Sequence, residues 1–235
     1  MKGRPRKVTA VNREKLTISQ AFRQITIPLP QAPGIEDPLP ANLTFFVDLR
    51  FTTTQRNRIQ RLIANILGQW NRYYNDRENG VDSPLKRCVA RYARFNLAPV
   101  WFEDKIANSN VAVDVMMEGL TRMFISNGFG RAARAQIMHP GSSIPPKAIK
   151  GANASNPNQN SLTVTINPRI LSRTDVIDST LAGSLLHAWM HRLGYRHPAG
   201  SYTSYMIGEA PMCLMRANAN KSPGVPDSRY TAFLD

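Results

Sequence analysis

The chain has 235 residues, 42% of them hydrophobic, which is enough for a substantial core in one large domain or in two closely packed lobes. Thirty Lys and Arg against sixteen Asp and Glu give a net charge of +14, which attracts anionic partners without selecting among them. The sequence predicts neither a membrane span nor a Sec signal peptide, because no long apolar run is present and no apolar segment follows the basic N-terminus.

The N-terminal part of the chain divides into three predicted segments. Residues 1–40 are rich in proline and lack sustained periodicity, which predicts an extended arm or a pro-region. Apolar residues then alternate with polar ones from Leu43 to Phe51, as they do in a strand. After capping candidates at residues 52–54, apolar residues recur at helical spacing from Ile59 to Tyr73, which predicts a long amphipathic helix.

The rest of the chain alternates between predicted strands and loops before a second helix. Long loops with at most one short strand or helix are expected over residues 119–160. A helix is expected to begin between Thr174 and Asp178 and to run to about Leu193, with irregular chain from Pro198 onward. Three further strands are predicted, at residues 97–102, 111–117 and 161–167. Strands interleaved with two helices indicate an α/β or α+β fold. Cys88 and Cys213 allow at most one disulfide, and the sequence leaves their pairing open.

Three of the four histidines fall in one short stretch that has the spacing of a metal site. His187 and His191 are four residues apart, so on a helix both imidazoles lie on one face and can reach the same ion. Gly194 stands where this helix must stop, and a chain that turns there can return His197 as a third ligand. Three protein ligands leave one position open, which is typical of a catalytic zinc site. We assign no role to His139.

This stretch resembles the extended motif of the metzincin clan of zinc metallopeptidases, H-E-x-x-H-x-x-G-x-x-H. Every defining position matches except the second, where the clan's glutamate is Ala188. In the clan that glutamate accepts a proton from the attacking water and passes it to the leaving amine. The resemblance further implies a methionine turn after the third ligand, for which Met215 is the first choice and Met212 the alternative.

The resemblance also carries expectations about the fold. It implies an upper lobe over residues 41–194, in which a twisted mixed sheet has a long backing helix and the active-site helix, and a small irregular lower lobe over residues 195–235. Tyr230 is the candidate by position for a tyrosine that stabilises the oxyanion, with Tyr205 and Tyr202 as weaker ones, although ordinary packing is the favoured explanation for each of them. A protein or peptide substrate would lie extended along an edge strand above the active-site helix.

The function that these features predict is zinc-dependent endopeptidase activity, absent from this chain because of Ala188. A deliberate Glu→Ala substitution explains the loss of a single mechanistic role better than a natural pseudo-peptidase, which stays open as a zinc-containing binding module. A basic nucleic-acid-binding protein with incidental zinc is the least favoured alternative. The positive charge would suit an acidic substrate, and we expect secretion, or delivery as a toxin or effector, outside the producing cell.

Overall fold

The computed structural model describes residues 21–128, 135–155 and 161–235, and within these ranges it confirms a mixed α/β fold. A five-stranded mixed sheet is accompanied by seven helices in this part of the chain. The strands are β1 (Phe22–Pro28), β2 (Asn42–Asp48), β3 (Gln136–Met138), β4 (Ile149–Lys150) and β5 (Val164–Ile166). The helices are α1 (Thr53–Glu78), α2 (Pro84–Tyr92), α3 (Ser109–Gly128), α4 (Pro168–Leu171), α5 (Asp178–Arg192), α6 (Met206–Met215) and α7 (Ser228–Thr231).

The sheet has the strand order β1-β2-β3-β5-β4. The three central strands β2, β3 and β5 run parallel, while β1 and β4 pair antiparallel to their neighbours at the two edges. The predicted alternation in β2 is confirmed, since Leu43, Phe45 and Val47 are all fully buried. Edge strand β4 is the one that packs beside α5, the helix that carries the first two histidines.

The long helix α1 begins as the sequence predicts. Thr52 is its N-cap and forms a reciprocal capping box with Gln55. The apolar face of α1 is buried against the core, and the indole of Trp70 donates a hydrogen bond to Thr121 of α3 at 2.9 Å. Helix α1 therefore packs against the core and against α3.

Arg58 fixes the start of α5 to this backing helix. Its guanidinium donates to the Asp178 carboxylate at 2.9 Å, to the carbonyl of Leu171 at 3.1 Å and to the carbonyl of Val176. The guanidinium and its partners are largely removed from solvent, so these charge-assisted bonds hold the two helices in one register. The orientation of the histidine helix is therefore set from α1.

Two of the predicted strands are wrong. Residues 111–117 lie inside α3, because the valines that alternate there also belong to an apolar face of helical period that buries Val113, Met116 and Leu120. Residues 97–102 form a loop, in which the Trp101 indole donates to the Leu193 carbonyl at the end of α5. The long loops expected over residues 119–160 are interrupted by the end of α3, by β3 and by β4, while residues 129–134 and 156–160 lie outside the described ranges.

The predicted N-terminal arm is replaced in part by a strand. Residues 22–28 form β1 and pair with β2 along its whole length, with Ile25 opposite Phe45. Residues 1–20 lie outside the described ranges. Strand β1 lies at the edge of the sheet, is partially exposed and has fewer apolar positions than a central strand. Its alternation of apolar and polar residues is therefore too weak to be recognised in the sequence.

The prediction of irregular chain after Pro198 is wrong for α6 and α7, and α6 contains both candidates for the methionine turn. Met212 and Met215 lie in helix α6, whose residues are buried on every side because it packs between α5 and α2. Met215 contacts Gly183 of α5 so closely that a Cβ there would lie 2.5 Å from the methionine Cγ. An apolar run enclosed on all sides forms a helix more readily than a turn, since a helix satisfies its own backbone.

A disulfide between Cys88 and Cys213 joins α2 to α6. The hydrophobic core extends from β1 to Leu214 and includes residues of both expected lobes. None of the helices within the described ranges is long and apolar enough to cross a membrane.

Candidate metal centre

The local fold brings His187, His191 and His197 together as predicted. His187 and His191 lie one turn apart on α5, and Gly194, with φ of +96°, ends the helix and reverses the chain. A Cβ at Gly194 would lie 2.7 Å from the Trp101 ring, so glycine is required both for its conformation and for space. The turn that follows returns His197 to the other two histidines.

The three rings form a nearly regular triangle. Their centroids are 4.7 Å apart for His187 and His191, 5.3 Å for His187 and His197, and 5.2 Å for His191 and His197. One nitrogen from each ring can be chosen so that all three lie within 4.8 Å of one another. The Nε2 atoms of His187 and His191 are 3.2 Å apart, close to the roughly 3.3–3.4 Å that separates two ligands of a tetrahedral zinc with bonds of about 2.0–2.1 Å. The triangle therefore fits a metal ion.

Backbone carbonyls orient two of the rings for this role. His187 Nδ1 donates to the Ile207 carbonyl at 2.8 Å, and His197 Nδ1 donates to the Pro198 carbonyl at 2.8 Å. In the neutral rings this leaves the Nε2 lone pairs free to bind a metal. His197 Nε2 is buried and has no hydrogen-bond partner within the described residues. A buried ring nitrogen without a hydrogen-bond partner is available to bind a metal ion.

Burial keeps the first two histidines in the form that binds metals. It lowers the pKa of His187 to about 4 and that of His191 to about 3, because removal from water disfavours the charged imidazolium. Hydrogen bonds to main-chain oxygens oppose the shift at His187, and the neighbouring histidines add to it at His191. Both rings are therefore neutral at neutral pH and can donate a lone pair to a metal.

The position of the expected general base has no carboxylate. Ala188 is fully buried, and the main chain of Gly151, just after β4, lies directly against it. A Cβ at Gly151 would lie 1.9 Å from the Ala188 carbonyl oxygen. No acidic side chain of the described ranges joins the histidine cluster. Glu209 is committed elsewhere, since its Oε1 accepts from Lys221 at 2.7 Å and from the Ser204 amide at 2.8 Å.

No family model, curated protein or solved structure matches this chain. The likeness to metzincins is therefore carried by the residues between His187 and His197 and stays a prediction.

The tyrosine beside the histidines is Tyr202 and not Tyr230. The Tyr202 ring centroid lies 4.8 Å from that of His197 and 5.8 Å from that of His187. Tyr230 instead lies under the Arg216 guanidinium at 5.6 Å, and Tyr205 packs against an exposed phenylalanine away from the site. Tyr202 follows the third histidine by five residues in the same turn, and this closeness in sequence was the signal that distinguishes it.

A contact that the sequence did not indicate involves the end of the chain. The main-chain oxygen of Asp235 lies 3.1 Å from His187 Nε2, on the metal-facing side of the ring. Residues 48 positions apart make this contact, so no local pattern could reveal it.

Proposed function

We propose that this chain is a zinc metalloendopeptidase in which Ala188 stands at the general-base position, so that the chain binds metal and peptide without cleaving the peptide. The observation that carries the proposal is the convergence of three imidazoles, two of them oriented by main-chain carbonyls, with one nitrogen of each ring within 4.8 Å of the others. Three imidazole nitrogens at this spacing can bind a single metal ion.

The donor set supports zinc as the ion. Neutral imidazoles suit zinc, copper, iron and nickel, and three histidines with one position left for water or substrate are the ligand set of many zinc hydrolases. When bound, zinc lowers the pKa of a water molecule and polarises a carbonyl group. His187, His191 and His197 would hold the ion. The Ile207 carbonyl fixes the orientation of the His187 ring.

Ala188 has no group that could accept a proton from the attacking water. General acid–base assistance is worth roughly 10²–10⁴ in rate, so a metal centre without it turns over very slowly. The alanine at this position leaves the ligands in place, which separates metal binding from hydrolysis.

A pseudo-peptidase that acts as a zinc-containing binding module is the second candidate. The burial of position 188 favours it, since Ala188 has no exposed surface and the main chain of Gly151 lies against its carbonyl group. Full burial leaves little room for a longer side chain at this position. The two candidates differ in what happens when a carboxylate is supplied at position 188.

The test compares Ala188→Glu with Ala188→Gln, a variant of nearly equal volume that cannot accept the proton. Zinc content is measured by mass spectrometry, and cleavage of denatured casein is followed with and without a chelator. About one zinc per chain in all three proteins, with chelator-sensitive cleavage by the glutamate variant alone, supports the peptidase. Zinc in all three and cleavage in none replaces it by the binding module, and absence of zinc overturns both.

A further inference from the structure

The last three residues, 233–235, form a segment that is bound to the metal centre through its main chain. The Phe233 carbonyl accepts from Ser184 Oγ of α5 at 2.8 Å, and the Leu234 carbonyl accepts from the Tyr202 hydroxyl at 3.3 Å. The next main-chain oxygen, that of Asp235, reaches His187 Nε2. Three successive main-chain oxygens are thus held by side chains around the site, which is how a cleft holds an extended peptide.

The side chains of the segment are also accommodated. Leu234 is fully buried in a small apolar cluster with Tyr202, Met212 and Met215. The Asp235 carboxylate forms an ion pair at 3.2 Å with Lys150, which belongs to edge strand β4. The apolar cluster therefore binds the Leu234 side chain, and the Lys150 ammonium group binds the neighbouring Asp235 side chain.

The contact between Asp235 and His187 indicates a shared cation. His187 Nδ1 donates to the Ile207 carbonyl, and Nε2 of the same ring lies near both His191 Nε2 and the Asp235 main-chain oxygen. The 3.1 Å distance from His187 Nε2 to the Asp235 oxygen is close to the 3.2 Å between the Nε2 atoms of His187 and His191, as expected for two ligands of one ion.

We propose that residues 233–235 are an intramolecular ligand of this centre, in which the Asp235 main-chain oxygen takes the metal position that His187, His191 and His197 leave open. The inference rests on the proposed function and identifies the ligand class of the same site. The groove accepts a peptide in which a large aliphatic residue precedes an acidic one. The segment holds the site closed until a competing ligand displaces it.

Closure by a tethered segment has a measurable consequence. A ligand that needs the open position binds with an apparent affinity reduced by the fraction of molecules in which the segment is displaced. A tethered group acts at an effective concentration in the millimolar range or higher, so weak docking interactions suffice to close the site. Loosening the segment should therefore strengthen the binding of small metal ligands without changing the three histidines.

The experiment uses cobalt(II) in place of zinc and follows the visible spectrum while acetohydroxamate, a small metal-binding anion, is added. Leu234→Ser weakens the apolar docking of the segment, and Ala232→Ser, at an exposed position two residues earlier, is the matched control. We expect Leu234→Ser to bind acetohydroxamate roughly tenfold to a hundredfold more tightly than the unaltered chain, and the control to bind it equally.

A second variant covers the case in which Leu234→Ser does not fold. Ser184→Ala removes the donor to the Phe233 carbonyl with little change in volume, and it should tighten acetohydroxamate binding about three- to tenfold. In either variant the added peptide Tyr-Thr-Ala-Phe-Leu-Asp, which has the sequence of residues 230–235, should compete with acetohydroxamate.

The outcomes separate the two proposals. Metal bound by every variant, with identical acetohydroxamate affinities and no competition by the peptide, overturns the ligand role of the segment and leaves the metal centre intact. Failure of the unaltered chain to bind cobalt or zinc overturns the proposed function itself. Tighter binding in Leu234→Ser and Ser184→Ala, with the control unchanged, supports the segment as a ligand.

Discussion

His187 Nδ1 donates a hydrogen bond to the carbonyl oxygen of Ile207 at 2.8 Å. This bond joins the first histidine of α5 to the first turn of α6 and determines which nitrogen of the ring faces the metal position. A carbonyl behind a metal-binding histidine fixes the tautomer and strengthens the ligand. The geometry of the centre therefore depends on how α5 and α6 pack, and not on the α5 sequence alone.

Removal of the third histidine should abolish tight zinc binding. His197→Ala removes one of three ligands, and we expect zinc affinity to fall more than about a hundredfold, since even the partners behind the ligands are worth 10–100-fold. His139→Ala is the control, because this histidine lies outside the cluster. Competition with a chromogenic chelator gives both affinities. Equal zinc affinity in the two variants would exclude His197 as a ligand.

Gly194→Ala should destabilise the fold and weaken zinc binding together. Alanine is strained at a φ of +96°, and its Cβ would lie 2.7 Å from Trp101, so the turn that returns His197 must move. We expect the free energy of unfolding to fall by about 2 kcal/mol or more, of which the backbone strain is roughly 1–2 kcal/mol.

Gly200→Ala separates strain from crowding in the same turn. Gly200 also has a positive φ, of +73°, but its Cβ would meet no atom within 4 Å. It should lower the free energy of unfolding by about 1 kcal/mol and leave zinc affinity unchanged. Urea denaturation and chelator competition measure both quantities. A loss of zinc affinity as large in Gly200→Ala as in Gly194→Ala would contradict the specific role of Gly194.

The metal-free protein should lose stability as the pH falls below about 6.5. Burial lowers the pKa of His187 to about 4 and that of His191 to about 3, from 6.5 when unfolded, so the unfolded chain binds protons first. Each group then lowers the free energy of unfolding by up to about 1.4 kcal/mol per pH unit, from pH 6.5 down to its folded pKa.

Urea unfolding with a chelator present, at several pH values between 7.5 and 4.5, measures this dependence. The variant His191→Gln should show a shallower slope, because one of the two groups no longer titrates. A slope unchanged by this substitution would show that His191 is not the source of the effect.

Loss of the disulfide should be strongly destabilising. Cys88 and Cys213 are 125 residues apart in sequence, and closing so long a loop restricts the unfolded chain by an amount worth about 4–5 kcal/mol. We expect the double variant Cys88→Ser, Cys213→Ser to lose about 4 kcal/mol in urea denaturation. Two thiols that react with a thiol reagent in the native, unreduced protein would disprove the bond. A buried disulfide supports the expected action outside the producing cell, where such bonds persist.

The sequence predicted those features that depend on local pattern. The alternation in β2, the capped amphipathic helix α1, the helix that carries His187 and His191, and the glycine that ends it are all confirmed. Each is governed by interactions within a few residues, so spacing alone reveals it.

The features that failed depend on contacts between distant residues. Helix α6 was taken for irregular chain because its residues are apolar on every side and show no amphipathic period. The valines of α3 satisfy two periods at once, and only burial against α1 and α2 selects the helical one. The contact of Asp235 with His187 and the choice of Tyr202 follow from how α6 folds over α5.

The anchoring of α5 by Arg58 determines which side of the metal centre can move. The guanidinium joins α1 to the start of α5 through a carboxylate and several carbonyls, so these two helices behave as one rigid body. On the opposite side, residues 233–235 are held by single hydrogen bonds, by the apolar contacts of Leu234 and by one ion pair whose lysine is 62% exposed. We therefore expect residues 233–235 to move away while α1 and α5 stay in place when a ligand enters. Salt should favour this opening, because it screens the exposed ion pair between Lys150 and Asp235.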